Sequence, residues 1–133
     1  CIRDRLGVDP RVNIVRAENA GDGLGSSLAA GIAGLVHCGA DAVAVLLGDM
    51  PWVAAATLRQ LSANARPEQI VVPVHQDQRG HPVLFGRAFW PALMTVDGDQ
   101  GGRQVVLDHQ ERCIRIDVAD EGVLRDVDRP EDL

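Results

Sequence analysis

The chain has 133 residues, 46% of them hydrophobic and 24% charged, which is the balance of one folded domain with a core and not of a disordered tail. A formal charge of −6 with scattered basic residues argues against a nucleic-acid surface. No apolar run nears the roughly 20 residues that span a bilayer and no signal segment opens the chain, so a cytoplasmic protein without nucleic-acid or membrane partners is expected.

Cys1, Cys38 and Cys113 are an odd number without a CxxC pair, which suggests neither a disulfide framework nor a zinc knuckle. All 13 basic residues are arginine, so these residues cannot place a lysine on a phosphate. The sequence opens at Cys1 without a methionine, and the expectation is that an earlier portion has been removed or was never included, so that the chain is a fragment.

Residues 12–17 (VNIVRA) read as a strand and 26–36 (SSLAAGIAGLV) as a helix entered through a glycine-rich turn and capped by serine. Residues 41–47 (DAVAVLL) are almost wholly apolar, as in a strand buried on both faces of a parallel sheet. A helix over 54–65 turns Leu58 and Leu61 inward. Residues 70–74 (IVVPV) and 82–85 (PVLF) are strands separated by a polar turn, 75–81 (HQDQRGH), and form a hairpin or a β-arm. Helices over 87–96 and 101–110, a strand over 113–118 (CIRIDV), a short strand over 123–127 and a helix begun by Pro130 complete the chain. The alternation predicts an α/β domain with a mainly parallel sheet.

Five motifs carry candidate chemistry. Residues 21–27 (GDGLGSS) open a helix whose free N–H groups attract phosphate, although a glycine turn with a serine cap is also ordinary helix punctuation. In 46–51 (LLGDMP), Asp49 follows a buried strand, where open α/β sheets place their ligand crevice. Gly48 leaves room beside it, and the carboxylate suits Mg²⁺; the plainer reading is a turn. Residues 79–82 (RGHP) set a histidine and an arginine beside a glycine, for an anionic ligand or as a surface turn. In 98–103 (GDQGGR), Arg103 is either a phosphate fork or a solvated residue, with Asp99 as an N-cap. In 124–133 (LRDVDRPEDL), Asp126 and Asp128 alternate about Val127 and would share one side of a strand, or would simply face a helix dipole; a second carboxylate beside Asp49 would complete a metal site, a proximity that spacing alone does not show. The four histidines lack metal-binding spacing.

Taken in order, GLGSSLAAGI, LLGDMPWV, RGHPVLFGRAF, GDQGGR and DVDRPEDL resemble the molybdenum cofactor cytidylyltransferase family, which has a MobA-like NTP transferase domain. The resemblance runs from about Asn19 to Leu133. It implies a three-layer α/β/α Rossmann-like nucleotidyltransferase, with residues 1–133 as one domain forming the C-terminal two-thirds of the family's unit. It implies transfer of CMP from CTP to the phosphate of molybdopterin with release of pyrophosphate. Asp49 and Asp128 would be Mg²⁺ ligands, Gly25, Ser26 and Ser27 would lie near the nucleotide or pterin, and His81 and Arg103 would face the cofactor.

Cytidylyl transfer is preferred because guanylyl relatives usually carry cysteine where Gly48 stands and lack the GHPVLF segment. GTP is the alternative nucleotide, and a molybdoenzyme or its chaperone would be a partner. The family's opening strand and its glycine-rich loop, LAAGxSxRMGxxK, have no counterpart here. Without them the chain is expected to be inactive or to be completed by another chain. Two competing functions remain open: nucleotidyl transfer to another acceptor, such as a sugar phosphate or purine-pathway metabolite, and a non-catalytic module that binds the cofactor or a molybdoenzyme.

Overall fold

A computed structural model describes residues 15–17, 24–95 and 102–132. Its elements are α1 (Leu24–Ala33), β1 (Ala42–Val45), α2 (Ala55–Ser62), β2 (Ile70–His75), β3 (Gln78–Arg79), β4 (Val83–Gly86), α3 (Trp90–Thr95), α4 (Arg103–Asp108) and β5 (Cys113–Asp117), with short 3-10 turns between them.

The β-branched run of β2 makes it the centre of the sheet. It pairs in parallel with β5 on one edge and antiparallel with β3 and β4 on the other, while β4 pairs antiparallel with β1. Thus β1, β2 and β5 run one way, with the β3–β4 strand opposed. The hairpin expected over 70–85 is present. Its returning strand is interrupted, because Val71 faces Leu84 but Val74 faces Arg79, so residues 80–83 oppose only residues 72–73. The extra residues form a bulge at Gly80, His81 and Pro82. Gly80 N–H donates to Pro73 O at 2.9 Å, whereas His81 N–H turns away to Val123 O at 2.8 Å. Pro73, which has no N–H, therefore meets the opposing strand where the ladder is already broken, one of the few places a central strand tolerates proline.

Alternation along β2 and β4 divides the core. Ile70, Val72, Val83 and Phe85 pack on one face with Ile32, Phe89, Trp90, Leu93, Val105 and Val106. Val71 and Leu84 pack on the other with Leu61, Val118 and Val123. Helices thus cover both faces of the sheet, giving the three-layer α/β/α arrangement. No described helix is long and apolar enough to cross a membrane.

Several elements differ from the sequence reading. The 41–47 strand contracts to Ala42–Val45 and is only half-buried. The 87–96 helix begins as a 3-10 turn, Arg87–Phe89, because Pro91 has no N–H for the Arg87 carbonyl; that carbonyl accepts instead from Trp90. The strand expected over 123–127 is a 3-10 turn, Glu121–Leu124, followed by irregular chain, so Asp126 and Asp128 do not share the face of a strand. Pro130 opens a 3-10 turn, Pro130–Asp132. Residues 15–17 carry no regular structure, and the rest of the strand expected over 12–17 lies outside the described residues.

Candidate active site

Chain leaving β1 turns at Leu47, whose carbonyl accepts from Met50 N–H at 3.2 Å, and this turn exposes Asp49 at the C-terminal edge of the sheet. The acidic segment near the C-terminus is fastened to it: Val127 N–H donates to Asp49 O at 2.7 Å. A cavity of about 200 Å³ beside this junction is lined by Asp49, Asp126, Arg79, His81, Leu47 and Leu124, among others. Asp126 thus shares the cavity wall with Asp49. Asp128 is exposed, lies just beyond Val127 and does not line that cavity.

A second cavity, of about 620 Å³, opens between α1, α4 and the sheet. Its walls are mainly apolar, including Leu28, Val45, Leu46, Val72, Phe85 and Leu107, with Ser27, Arg79, His81 and Arg103 as polar groups. Arg79, Gly80 and His81 line both cavities, so the bulge on the returning strand is the partition between them. Gly80 suits this place because a Cβ there would lie 2.3 Å from Val123 O. Burial pushes the His81 imidazole below its usual pKa, opposed by the nearby Asp49 charge, and its buried Nδ1 has no hydrogen-bond partner. A neutral ring with an unsatisfied nitrogen is therefore held between an apolar chamber and a carboxylate-lined one.

The residues singled out from the sequence are only partly brought together. Asp49 and His81 share the smaller cavity; Ser27, His81 and Arg103 share the larger. Gly25 is buried in α1 and Ser26 is half-buried, and neither lines a cavity. Residues 21–23 and 98–101, which include the expected cap Asp99, lie outside the described residues. A Cβ on Gly48 would meet nothing within 4 Å, so there is open space beside Asp49 at this position.

Among the described residues no group of three or more His, Cys, Asp or Glu side chains is arranged to hold a metal.

One residue in this region escaped the sequence reading. Asp120 accepts from Ala54 N–H (2.9 Å) and Thr57 Oγ1 (2.7 Å) through Oδ2 and from Gly122 N–H (2.8 Å) through Oδ1. Burial raises its pKa, but these three hydrogen bonds and the charge of His75 outweigh burial and leave the carboxyl below its usual value. The sequence signal for part of this was Asp-x-Gly, an Asx-turn pattern; the partners in α2 left no local trace.

The MobA-like NTP transferase domain matches residues 3–113. Among similar proteins is the purine catabolism protein PucB of Bacillus subtilis (strain 168), 29% identical over 116 residues that cover 86% of this chain and 56% of PucB. Among similar solved structures, the Rv0371c homolog from Mycobacterium sp. strain JC1 superposes with a TM-score of 0.68 at 28% identity, covering 80% of this chain and 52% of that one. Rv0371c of Mycobacterium tuberculosis H37Rv, in complex with manganese, gives 0.62 at 33% identity, covering 69% and 49%. The chain thus spans about half the length of these relatives. With the domain match running through most of its length, the chain belongs to the MobA-like NTP transferase domain family.

Proposed function

We propose that the whole protein is a nucleotidyltransferase that moves CMP from CTP to the terminal phosphate of molybdopterin, with Mg²⁺ held by Asp49 and Asp128. The observation that carries the metal assignment is the Val127 N–H to Asp49 O bond, which fastens the acidic segment to the strand-end aspartate. Asp126 shares a cavity wall with Asp49 and adds negative charge beside the pair. The manganese complex of the Rv0371c relative supports a divalent cation here.

No protein nucleophile is required. A phosphate oxygen of molybdopterin attacks the α-phosphorus of CTP, the bond to the β-phosphate breaks, and pyrophosphate leaves. Bound Mg²⁺ supplies charge neutralisation on the α-phosphate and the leaving group. Arg103 and Arg79 present guanidinium forks toward substrate phosphates, and the apolar walls between α1 and α4 take a flat ring and exclude water. His81, neutral and lining both cavities, orients the ligand by hydrogen bonding. Gly25, Ser26 and Ser27, at the start of α1, lie near the nucleotide or pterin.

Pyrophosphate release by the full-length protein, with CTP and with GTP and molybdopterin as acceptor, tests this. Release with CTP that is lost in Asp49→Asn is expected; equal rates in the two proteins contradict the metal role of Asp49. A second reading is favoured by the PucB relative, whose name places it in purine catabolism. On that reading the same centre transfers the nucleotide to a different phosphorylated acceptor or one drawn from purine breakdown, and molybdopterin then fails as acceptor while Asp49→Asn still abolishes turnover.

A further inference from the structure

Two segments, 49–57, which runs into the first turn of α2, and 120–127, are tied together at four points. Asp120 Oδ2 receives Ala54 N–H and Thr57 Oγ1 while its Oδ1 receives Gly122 N–H. Gly122 is pressed against the backbone of Trp52, where a Cβ would lie 2.2 Å from Trp52 O. The Arg125 guanidinium stacks 4.2 Å from the centroid of the Trp52 ring. Val127 N–H then closes on Asp49 O at 2.7 Å. The ties run in antiparallel order, Asp120 with 54–57, Gly122 and Arg125 with Trp52, Val127 with Asp49, so a shift at one end carries through to the other.

We propose that Asp120 is a positioning residue for the metal centre, fixing the register of the 120–128 segment on the loop that bears Asp49. The inference rests on the metal reading above. Asp120 touches neither Asp49 nor the Asp126 cavity; it acts through the backbone it anchors. The chemistry requires a carboxylate. Each oxygen receives a backbone N–H, and an amide has only one accepting atom, so asparagine would set an NH₂ donor against an N–H of Ala54 or Gly122. A donor left facing a donor loses its hydrogen bond and loosens the tie between the segments.

The test uses the full-length protein as wild type, Asp120→Asn, Thr57→Val and Asp49→Asn. Thr57→Val removes only the hydroxyl from the cluster and guards against an Asp120 variant that fails to fold. The first readout is amide exchange at Val127, where protection should fall in Asp120→Asn and, more weakly, in Thr57→Val, while amides of β2 and β5 keep theirs. The second is Mn²⁺ affinity, expected to fall about tenfold in Asp120→Asn, the usual scale for loss of a group that orients a ligand. Unchanged protection at Val127 overturns the proposal, as does lost protection with unchanged Mn²⁺ affinity. If Asp49→Asn itself leaves Mn²⁺ binding intact, the metal reading fails, and Val127 exchange alone then decides whether Asp120 sets the register of the segment.

Discussion

The Val127 N–H donates to the Asp49 carbonyl at 2.7 Å, joining a turn at the end of the first described strand to a segment near the C-terminus. This bond involves only backbone, so its formation does not depend on which carboxylates flank it; what it fixes is where Asp126 and Asp128 fall. Loss of either side chain should therefore change metal binding without disturbing the junction. Asp128→Asn is expected to lower Mn²⁺ affinity at least about tenfold, and Asp126→Asn by less, the order being read by paramagnetic relaxation titration.

Gly122 and Gly80 are required for packing, since a Cβ at either would lie within 2.3 Å of a carbonyl oxygen, of Trp52 and Val123 respectively. Gly122→Ala and Gly80→Ala are each expected to lower stability by about 1–3 kcal/mol, the usual scale of overpacking. Gly39, where a Cβ meets nothing within 4 Å, is the control; Gly39→Ala should fall within about 0.5 kcal/mol of wild type in urea denaturation.

How much of this was legible in the sequence depends on the range of the forces involved. The strands announce themselves locally, β2 through a β-branched run, β4 through an apolar run with Val83 and Phe85 and β5 through alternation about Ile114 and Ile116, and the turn at Asp49 through Gly-Asp-Met-Pro. The strand expected over 123–127 does not form although Asp126 and Asp128 alternate about Val127, because Asp120 Oδ1 takes the Gly122 N–H and turns the chain before a ladder can form. The partnership of Asp120 with Ala54 and Thr57 spans more than sixty residues, and nothing in either segment's composition points to the other. His81 was singled out for its place between Gly80 and Pro82, but its position as a partition between two cavities follows from a bulge whose size only the strand register reveals.

Arg87 is a clip for the 36–40 loop. Its guanidinium donates to the carbonyls of Val36, Cys38 and Ala40 and lies 4.5 Å from the centroid of the Trp90 ring. A lysine has neither the planar fork nor the stacking face. Arg87→Lys should cost about 1–2 kcal/mol in thermal or urea unfolding, on the scale of lost charge-assisted bonds. An unchanged unfolding midpoint would show that the loop holds its shape without the clip.

Asp120 also makes a pH prediction. Its folded pKa lies below the usual carboxylate value because its hydrogen bonds and the His75 charge outweigh burial. A depressed folded pKa means that the stabilisation is fully present above the unfolded pKa, near about 3.9, and is lost as pH falls through the lower folded value. The part of the stability gap between wild type and Asp120→Asn that comes from the hydrogen bonds to the carboxylate should therefore persist around neutrality and be lost only in acid. A gap that instead closed between pH 6 and pH 8 would assign the effect to another group.

The central claim is that Asp49 anchors a divalent metal that holds a nucleoside triphosphate. Calorimetric titration of CTP with Mg²⁺ into the full-length protein, alongside Asp49→Asn, tests it most directly. The account predicts saturable binding to the wild type that depends on Mg²⁺ and is lost in Asp49→Asn. Binding that is equally tight in both proteins, or that persists without the metal, would contradict it.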